Sequence, residues 1–262
     1  MISVKLPVQS SIITVMTRAA IKASKGLLRD FSELEHLQVS VKSNKNFVTS
    51  ADLKADEIIK SELLRARPTY SLLSEESEEI IGEDPSHRWI VDPLDGTTNY
   101  MHGFPHWAIS LALEKNDEIV AAVTYDPVKN EMFWAEKGCG AYLNDKKIRV
   151  SGRCSMLDAL ISFGILEECI SLGEVATSPK IRKTGSTTLN MAYLAAGRLD
   201  VLYSTANSNK WDIAAGILLI KEAGGVLADR HGNSTSEYKE VAIMTNVNLL
   251  TPAVLYMQSF EK

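Results

Sequence analysis

The sequence predicts a layered α/β fold, and three stretches carry that prediction. Apolar residues recur at helical spacing near the N-terminus. Short apolar or alternating runs punctuated by turn residues fill positions 106–150. Strands then alternate with helices after about residue 151. With 262 residues, 45% hydrophobic and 23% charged, the chain can bury a large core and form one or two domains. Two subdomains are expected. Residues 1–150 would hold the antiparallel sheet and most of the acidic groups, and 151–262 would complete the site.

Ser10 to about Phe31 reads as a helix, because Ile12, Met16, Ala19, Ala23 and Leu27 form one apolar stripe. Lys22, Lys25 and Arg29 lie off that stripe and read as a solvated face. Ser40 to Asn46 is polar and reads as a strand–loop segment, with Lys42 and Lys45 as solvated lysines or as partners of a phosphate. A second helix is expected from Ser50 to about Arg67, stopped by Pro68. Asp52 would then lie in its first turn, near the positive end of the helix dipole.

Tyr70 to Leu73 reads as a strand leading into the acidic run Ser74-Glu75-Glu76-Ser77. Glu78 and Glu79 are expected to be solvated, and the segment up to Arg88 to be polar loop. Trp89-Ile90-Val91 reads as a buried strand ending at Asp92-Pro93, since proline donates nothing to a ladder. Runs at 108–113, 119–125 and 131–135 read as antiparallel hairpins. Asn116-Asp117, Asp126-Pro127, Lys129-Asn130, Gly138-Cys139-Gly140 and Asn144-Asp145 supply the turns. In the second half, strands are expected at 161–164, 201–203, 226–228 and 241–244. Helices are expected from Gly185-Ser186-Thr187 through Ala196, from Trp211 to Ala223 and from Pro252 to Phe260.

The net charge of -5 gives no sign of general nucleic-acid binding, so no direct DNA binding is expected. Three cysteines, Cys139, Cys154 and Cys169, with no CxxC pair, argue against a disulfide framework and against a zinc site. Neither a signal peptide nor an apolar run of about 18 residues is evident, which points to a cytoplasmic protein with no membrane partner.

Function is carried by Asp92-Pro93-Leu94-Asp95-Gly96-Thr97-Thr98-Asn99. Carboxylates at a strand end are hard oxygen ligands for magnesium. Free amides at the start of the next element suit a phosphate. Alone, the two aspartates read more simply as turn and cap residues. Glu75 and Asp212 change that balance, because each also sits at the end of a predicted element, and a two-metal site needs carboxylates from separate segments. Asp212, in Trp211-Asp212-Ile213-Ala214-Ala215-Gly216, also reads as a helix-start cap.

Together with Ser74-Glu75-Glu76-Ser77, these motifs resemble the signature set of the inositol monophosphatase family, in order and spacing, over nearly the whole chain. Within the family the chain is most similar to bacterial extragenic-suppressor-type members. The resemblance implies an αβαβα five-layer sandwich, a homodimer and a lithium-sensitive, magnesium-dependent phosphomonoesterase with two or three ions per site. It implies Glu75, Asp92 and the Leu94 carbonyl on one magnesium, and Asp92, Asp95 and Asp212 on another, with a third ion near Glu75 in some accounts. Asp52 would act with Thr97 on the attacking water, Gly96 and Thr97 would bind phosphate, and Gly185, Ser186 and Thr187 would touch substrate. Gly185, Ser186 and Thr187 read equally as a capped helix start, and Arg182 is ambiguous in the same way.

One departure bears on the substrate. Many inositol-hydrolysing members carry a glutamate shortly before the Trp-Asp motif, whereas Tyr203 to Lys210 here contains no acid. Thr205 or Asn207 would have to substitute, or the substrate is another sugar phosphate. Lys210 reads as favouring a more anionic substrate or as a surface lysine. The expected reaction is hydrolysis of myo-inositol monophosphate or a related small sugar or polyol phosphate. A 3′(2′),5′-bisphosphate nucleotidase-like activity and a fructose-1,6-bisphosphatase-like activity are the enzymatic alternatives. A role in ribosomal RNA antitermination, through contact with the transcription machinery, is the alternative of another class.

Overall fold

The computed structural model describes residues 9–36, 41–163, 180–204, 208–235 and 237–259, without the side chains of 34–36 and 41–49. Ser40, Gly164, Cys169, Thr205 to Asn207 and Phe260, all named above, lie outside the described residues. Two helices come first, α1 (Ser11–His36) and α2 (Val41–Ala66). A seven-stranded sheet follows in chain order: β1 (Tyr70–Ser74), β2 (Asp84–Asp95), β3 (Ala108–Lys115), β4 (Glu118–Asp126), β5 (Glu131–Glu136), β6 (Gly140–Leu143) and β7 (Lys146–Ile148). The short helix α3 (Thr97–Met101) lies between β2 and β3.

The smaller sheet contains β8 (Leu160–Phe163), β9 (Lys180–Arg182), β10 (Val201–Tyr203), β11 (Val226–Ala228) and β12 (Ile243–Thr245), in the order β11-β12-β10-β8-β9. Helices α4 (Thr187–Ala195) and α5 (Lys210–Glu222) lie between the sheets, and α6 (Leu250–Gln258) is last. Three cores bind these layers. Ile13, Met16, Ile59 and Leu63 of α1 and α2 pack with Trp89, Leu111 and Val123 of the larger sheet. Ile90, Ala122 and Phe133 point the other way, onto Met191, Ile213 and Leu219 of α4 and α5, and Leu202 and Met244 of the smaller sheet join them. Its opposite face, with Ile161, Val201 and Ile243, meets Ala253 of α6. The result is an αβαβα sandwich, as the resemblance implied.

Close approach of the middle helices depends on Gly216, where a Cβ would lie 2.5 Å from the Met191 side chain. The α1–α2 pair is clamped by Glu62, which is buried and held by Lys22 at 2.8 Å, Arg65 at 2.8 Å and Arg18 at 3.2 Å. Lys22 is therefore an ion-pair partner as well as part of a solvated face.

Several expectations are corrected. Residues 41–46 are helix, not strand–loop, because no glycine or proline interrupts the chain from Val41 to Ala66. Asp52 consequently lies well inside α2 rather than in its first turn, and the dipole explanation of its placement fails. Asp84 to Arg88 is the first part of β2 instead of loop, paired with β1 and β3. Glu79 is not simply solvated, since it pairs with Arg88 at 3.2 Å. The strand does not end at Asp92-Pro93 but runs to Asp95, with a bulge between Asp92 and Asp95 that accommodates the proline. Helix α5 spans Lys210–Glu222, one residue earlier at each end than expected. β12 starts at Ile243 rather than Val241, and α6 starts at Leu250, which places Pro252 in its first turn. Strand β9 had no sequence signal.

Candidate active site

Two features of β1 and β2 build the acidic centre. The strands are parallel, with Ser74 opposite Val91, so their C-terminal ends share one edge. The Glu75 amide donates to the Val91 carbonyl at 3.1 Å, which sets Glu75 beside Asp92. The bulge does the rest. Asp92 pairs with Ser110 and Asp95 with Ala108, so three steps on β2 match two on β3. Residues three apart on a regular strand face opposite sides, and the extra residue returns Asp95 to the side of Asp92.

Gly96 then turns the chain into α3 at φ 92°, and a Cβ there would meet the His106 carbonyl at 3.0 Å. The Leu94 amide donates to Asp92 Oδ1 at 3.0 Å, and the Thr97 hydroxyl donates to the Leu94 carbonyl at 3.1 Å. Asp212 arrives from the start of α5. Its Oδ2 accepts from the Asn209 amide at 2.8 Å, so it is also the cap that its position suggested.

One carboxylate oxygen from each of Glu75, Asp92 and Asp212 lies within 4.8 Å of the other two. Asp95 is oriented from the opposite wall. Its Oδ2 accepts from the Ser186 hydroxyl, the Thr188 hydroxyl at 2.7 Å and the Thr188 amide at 3.0 Å. Ser186 Oγ also accepts from the Leu189 amide at 3.3 Å, as the cap of α4. Gly185, Ser186 and Thr187 line one wall of a cavity of about 620 Å³ that also reaches Glu75, Asp95 and Asp212.

The electrostatics follow from burying acids together. Burial, then the Asp95 and Glu75 charges, pushes the Asp92 pKa well up. Burial and the neighbouring Asp212 bring Glu75 to about 7. Burial raises Asp212 to about 6. Burial, with Glu76 and Glu75 close by, raises Asp52 to about 9. Burial raises Asp95 too, against the bonds from Ser186 and Thr188. Asp52 is 4% exposed, and its Oδ1 has no hydrogen-bond partner among the described residues. Clustered hard oxygens, an orphaned buried carboxylate oxygen and uncompensated negative charge fit a hard divalent cation better than a thiol- or imidazole-preferring metal.

Some contributors went unnoticed in the sequence. Thr188 supplies two of the bonds to Asp95. The Asn99 side-chain Nδ2 donates to the His106 carbonyl at 2.7 Å and the Thr184 carbonyl at 2.8 Å, which ties the motif to the α4 wall. Phe104, Phe163, Lys183 and Asn190 line the cavity. Lys210 does not line this cavity and is not a free surface lysine, since it pairs with the buried Glu114. Arg182 is exposed and donates to the Ile181 carbonyl.

Relatives agree with this picture. The family model for the inositol monophosphatase family matches residues 8–258. An inositol-1-monophosphatase from Rhizobium meliloti (strain 1021) is 49% identical over 236 residues, 86% of this chain and 87% of that protein. A Nus factor SuhB from Xylella fastidiosa (strain Temecula1 / ATCC 700964) is 39% identical over 86% of this chain and 84% of its own length. The crystal structure of the extragenic suppressor protein suhB from Bartonella henselae superposes with a TM-score of 0.84 at 43% identity. It covers 95% of this chain and 100% of that one. Fold, acid cage and relatives together place the chain among the metal-dependent phosphoric monoester hydrolases. It belongs to the inositol monophosphatase family.

Proposed function

We propose that the protein hydrolyses myo-inositol monophosphate, or a related small sugar or polyol phosphate, with magnesium held by Glu75, Asp92, Asp95, Asp212 and the Leu94 carbonyl. The observation that carries this reading is the meeting of Glu75, Asp92 and Asp212 oxygens within 4.8 Å at one end of a 620 Å³ cavity. Bound there, magnesium would neutralise phosphoryl oxygens, make a water more nucleophilic and stabilise the leaving alkoxide.

The chain's own groups divide the remaining work. With its proton on the Leu94 carbonyl, the Thr97 oxygen is left as an acceptor that orients a water O–H. Asp52 Oδ1, buried and unpaired, is the acceptor for that water's proton. Burial, with Glu76 and Glu75 close by, raises the Asp52 pKa to about 9 in the metal-free protein, so bound cations would have to favour its charged form for it to act as a base. Amides of Gly96 and Thr97 bind the phosphate, and the wall at Gly185, Ser186 and Thr187 faces the rest of the substrate. Residues 1–150 thus supply most of the acids, and 151–262 supply Asp212 and the opposite wall.

The site would hold two or three ions, be inhibited by lithium and work in a cytoplasmic homodimer. Among the described residues no helix is long and apolar enough to cross a membrane. The 39% identity to a Nus factor supports a second reading, a surface role with the transcription machinery that coexists with catalysis. Phosphate release from a panel of small phosphomonoesters, with magnesium and with or without lithium, tests the main reading. Magnesium-dependent turnover of a polyol phosphate that lithium suppresses is expected. Equal turnover in excess chelator, or none with any substrate, refutes it.

A further inference from the structure

The outer side of the α5 start carries a second recess, of about 660 Å³, distinct from the catalytic cavity. Its lining includes Arg88 from β2, Lys210 and Trp211 from the first turn of α5, and Tyr238 and Lys239 from the segment before β12. Three cations therefore converge from three parts of the chain. Two of them share one acid. Arg88 donates to Glu114 Oε2 at 2.8 Å and 2.5 Å, while Lys210 takes Glu114 Oε1. Glu114 is 4% exposed. Burial alone would raise its pKa, but the bonds from Lys210 and Arg88 outweigh that and hold it below the ordinary range. The carboxylate is thus spent on its two partners.

Lys239 has no carboxylate partner among the described residues. Its ammonium lies 5.6 Å from the Tyr238 ring centre, and that of Lys210 lies 5.8 Å from the same ring. Lys210 is neutralised by Glu114, so Lys239 is the cation at this ring with no ion pair among the described residues. Arg88 Nη1 has only a 3.2 Å contact with the half-exposed Glu79. The Trp211 indole Nε1 beside them is buried without an acceptor among the described residues, as are those of Trp89 and Trp107, so it serves as a nearby reporter and does not define the ligand. A ligand that presents several acceptor oxygens and a double negative charge suits three converging cationic donors better than a chloride or a single carboxylate.

We propose that this recess binds a small phosphate dianion, either inorganic phosphate or the terminal group of a phosphorylated or phosphonylated metabolite. The site grips the outside of the turn whose inner side carries Asp212, and Asn209 lines both cavities. Occupancy therefore bears on the position of Asp212. The proposal does not rest on the hydrolytic reading, because the binding measurement needs no turnover.

The test follows the indole N–H resonances of the magnesium-loaded protein by ¹⁵N–¹H NMR, with the Trp211 signal assigned from its loss in Trp211→Phe. Inorganic phosphate is titrated in one arm and non-hydrolysable methylphosphonate in the other, at constant ionic strength. The expected result is a saturable shift of the Trp211 signal with one or both probes. Lys239→Glu should weaken that titration roughly tenfold or more and leave turnover in phosphate-free buffer unchanged. Saturation by phosphate alone identifies the free ion as the ligand, and saturation by both identifies the shared headgroup. The proposal is overturned if the signal does not move, if chloride moves it equally, or if Lys239→Glu titrates like the parent protein. In the last case the phosphate sits only in the catalytic cavity.

Discussion

Replacing Asp95 with asparagine separates the charge of the acid cage from its architecture. The Asp95 Oδ2 accepts three hydrogen bonds, from the Ser186 hydroxyl, the Thr188 hydroxyl and the Thr188 amide. An asparagine oxygen in the same place keeps acceptors for these donors but loses charge assistance, a loss of about 1 kcal/mol per bond at most. Relief of a buried carboxyl that its surroundings already push toward protonation opposes that loss. The net stability change should stay within about 2 kcal/mol, or about 8 °C in Tm for a chain of this size. Cation binding is affected far more. A unit charge about 4 Å from another, at an effective dielectric near 20, contributes about 4 kcal/mol, which is roughly a thousandfold in affinity. Magnesium-dependent phosphate release, measured across a magnesium titration beside calorimetric unfolding, reads both quantities. Asp95→Asn should unfold near the parent Tm and lose nearly all turnover at magnesium levels that saturate the parent. Near-full activity at those levels would refute the reasoning, and so would a collapse of Tm that explains the loss by unfolding.

Other outcomes follow from the same geometry. Asp52, Glu75 and Asp212 have folded pKa values raised to about 9, 7 and 6, so in the metal-free protein their favourable contribution is complete below about pH 4 and is lost as pH rises through those values. Differential scanning fluorimetry should therefore show the metal-free Tm falling from pH 5 to pH 8, with magnesium restoring more at pH 8 than at pH 5. A flat profile in both conditions contradicts this. Gly96→Ala places a Cβ 3.0 Å from the His106 carbonyl at φ 92° and should destabilise by about 1–3 kcal/mol while lowering turnover, as chemical denaturation and kinetics would show. Asn99→Ala removes two bonds that join the motif to the α4 wall and should cost about 1–3 kcal/mol, with a larger effect on KM than a surface substitution. Parent-like stability and KM would show that this link is dispensable.

What the sequence revealed depended on how local each cause was. The α1 stripe and the antiparallel hairpins announce themselves, because a few neighbouring residues set the period and the turns. Asn116, Asp117, Asn130 and Asn144 adopt the positive φ that their turns require. The start of α2 was hidden, since Lys42 to Asn46 is polar and shows no apolar stripe, yet nothing there stops a helix. The parallel pairing of β1 with β2 and the bulge at Pro93 are long-range or geometric facts, and no residue type by itself declares them. The acids were legible because each stands at the end of an element in a recognisable motif. Their supports were not. Thr188 looks like any helix-start residue until Asp95 is set against it, and the Asn99 bond to Thr184 spans 85 positions in the chain.

The central claim is that distant acids form one cage for hard divalent cations. Anomalous diffraction from a crystal soaked in manganese, a stand-in for magnesium that scatters measurably, tests it most directly. The account predicts strong peaks between the carboxylate oxygens of Glu75, Asp92, Asp95 and Asp212. Saturating manganese with no peak among those oxygens would contradict it.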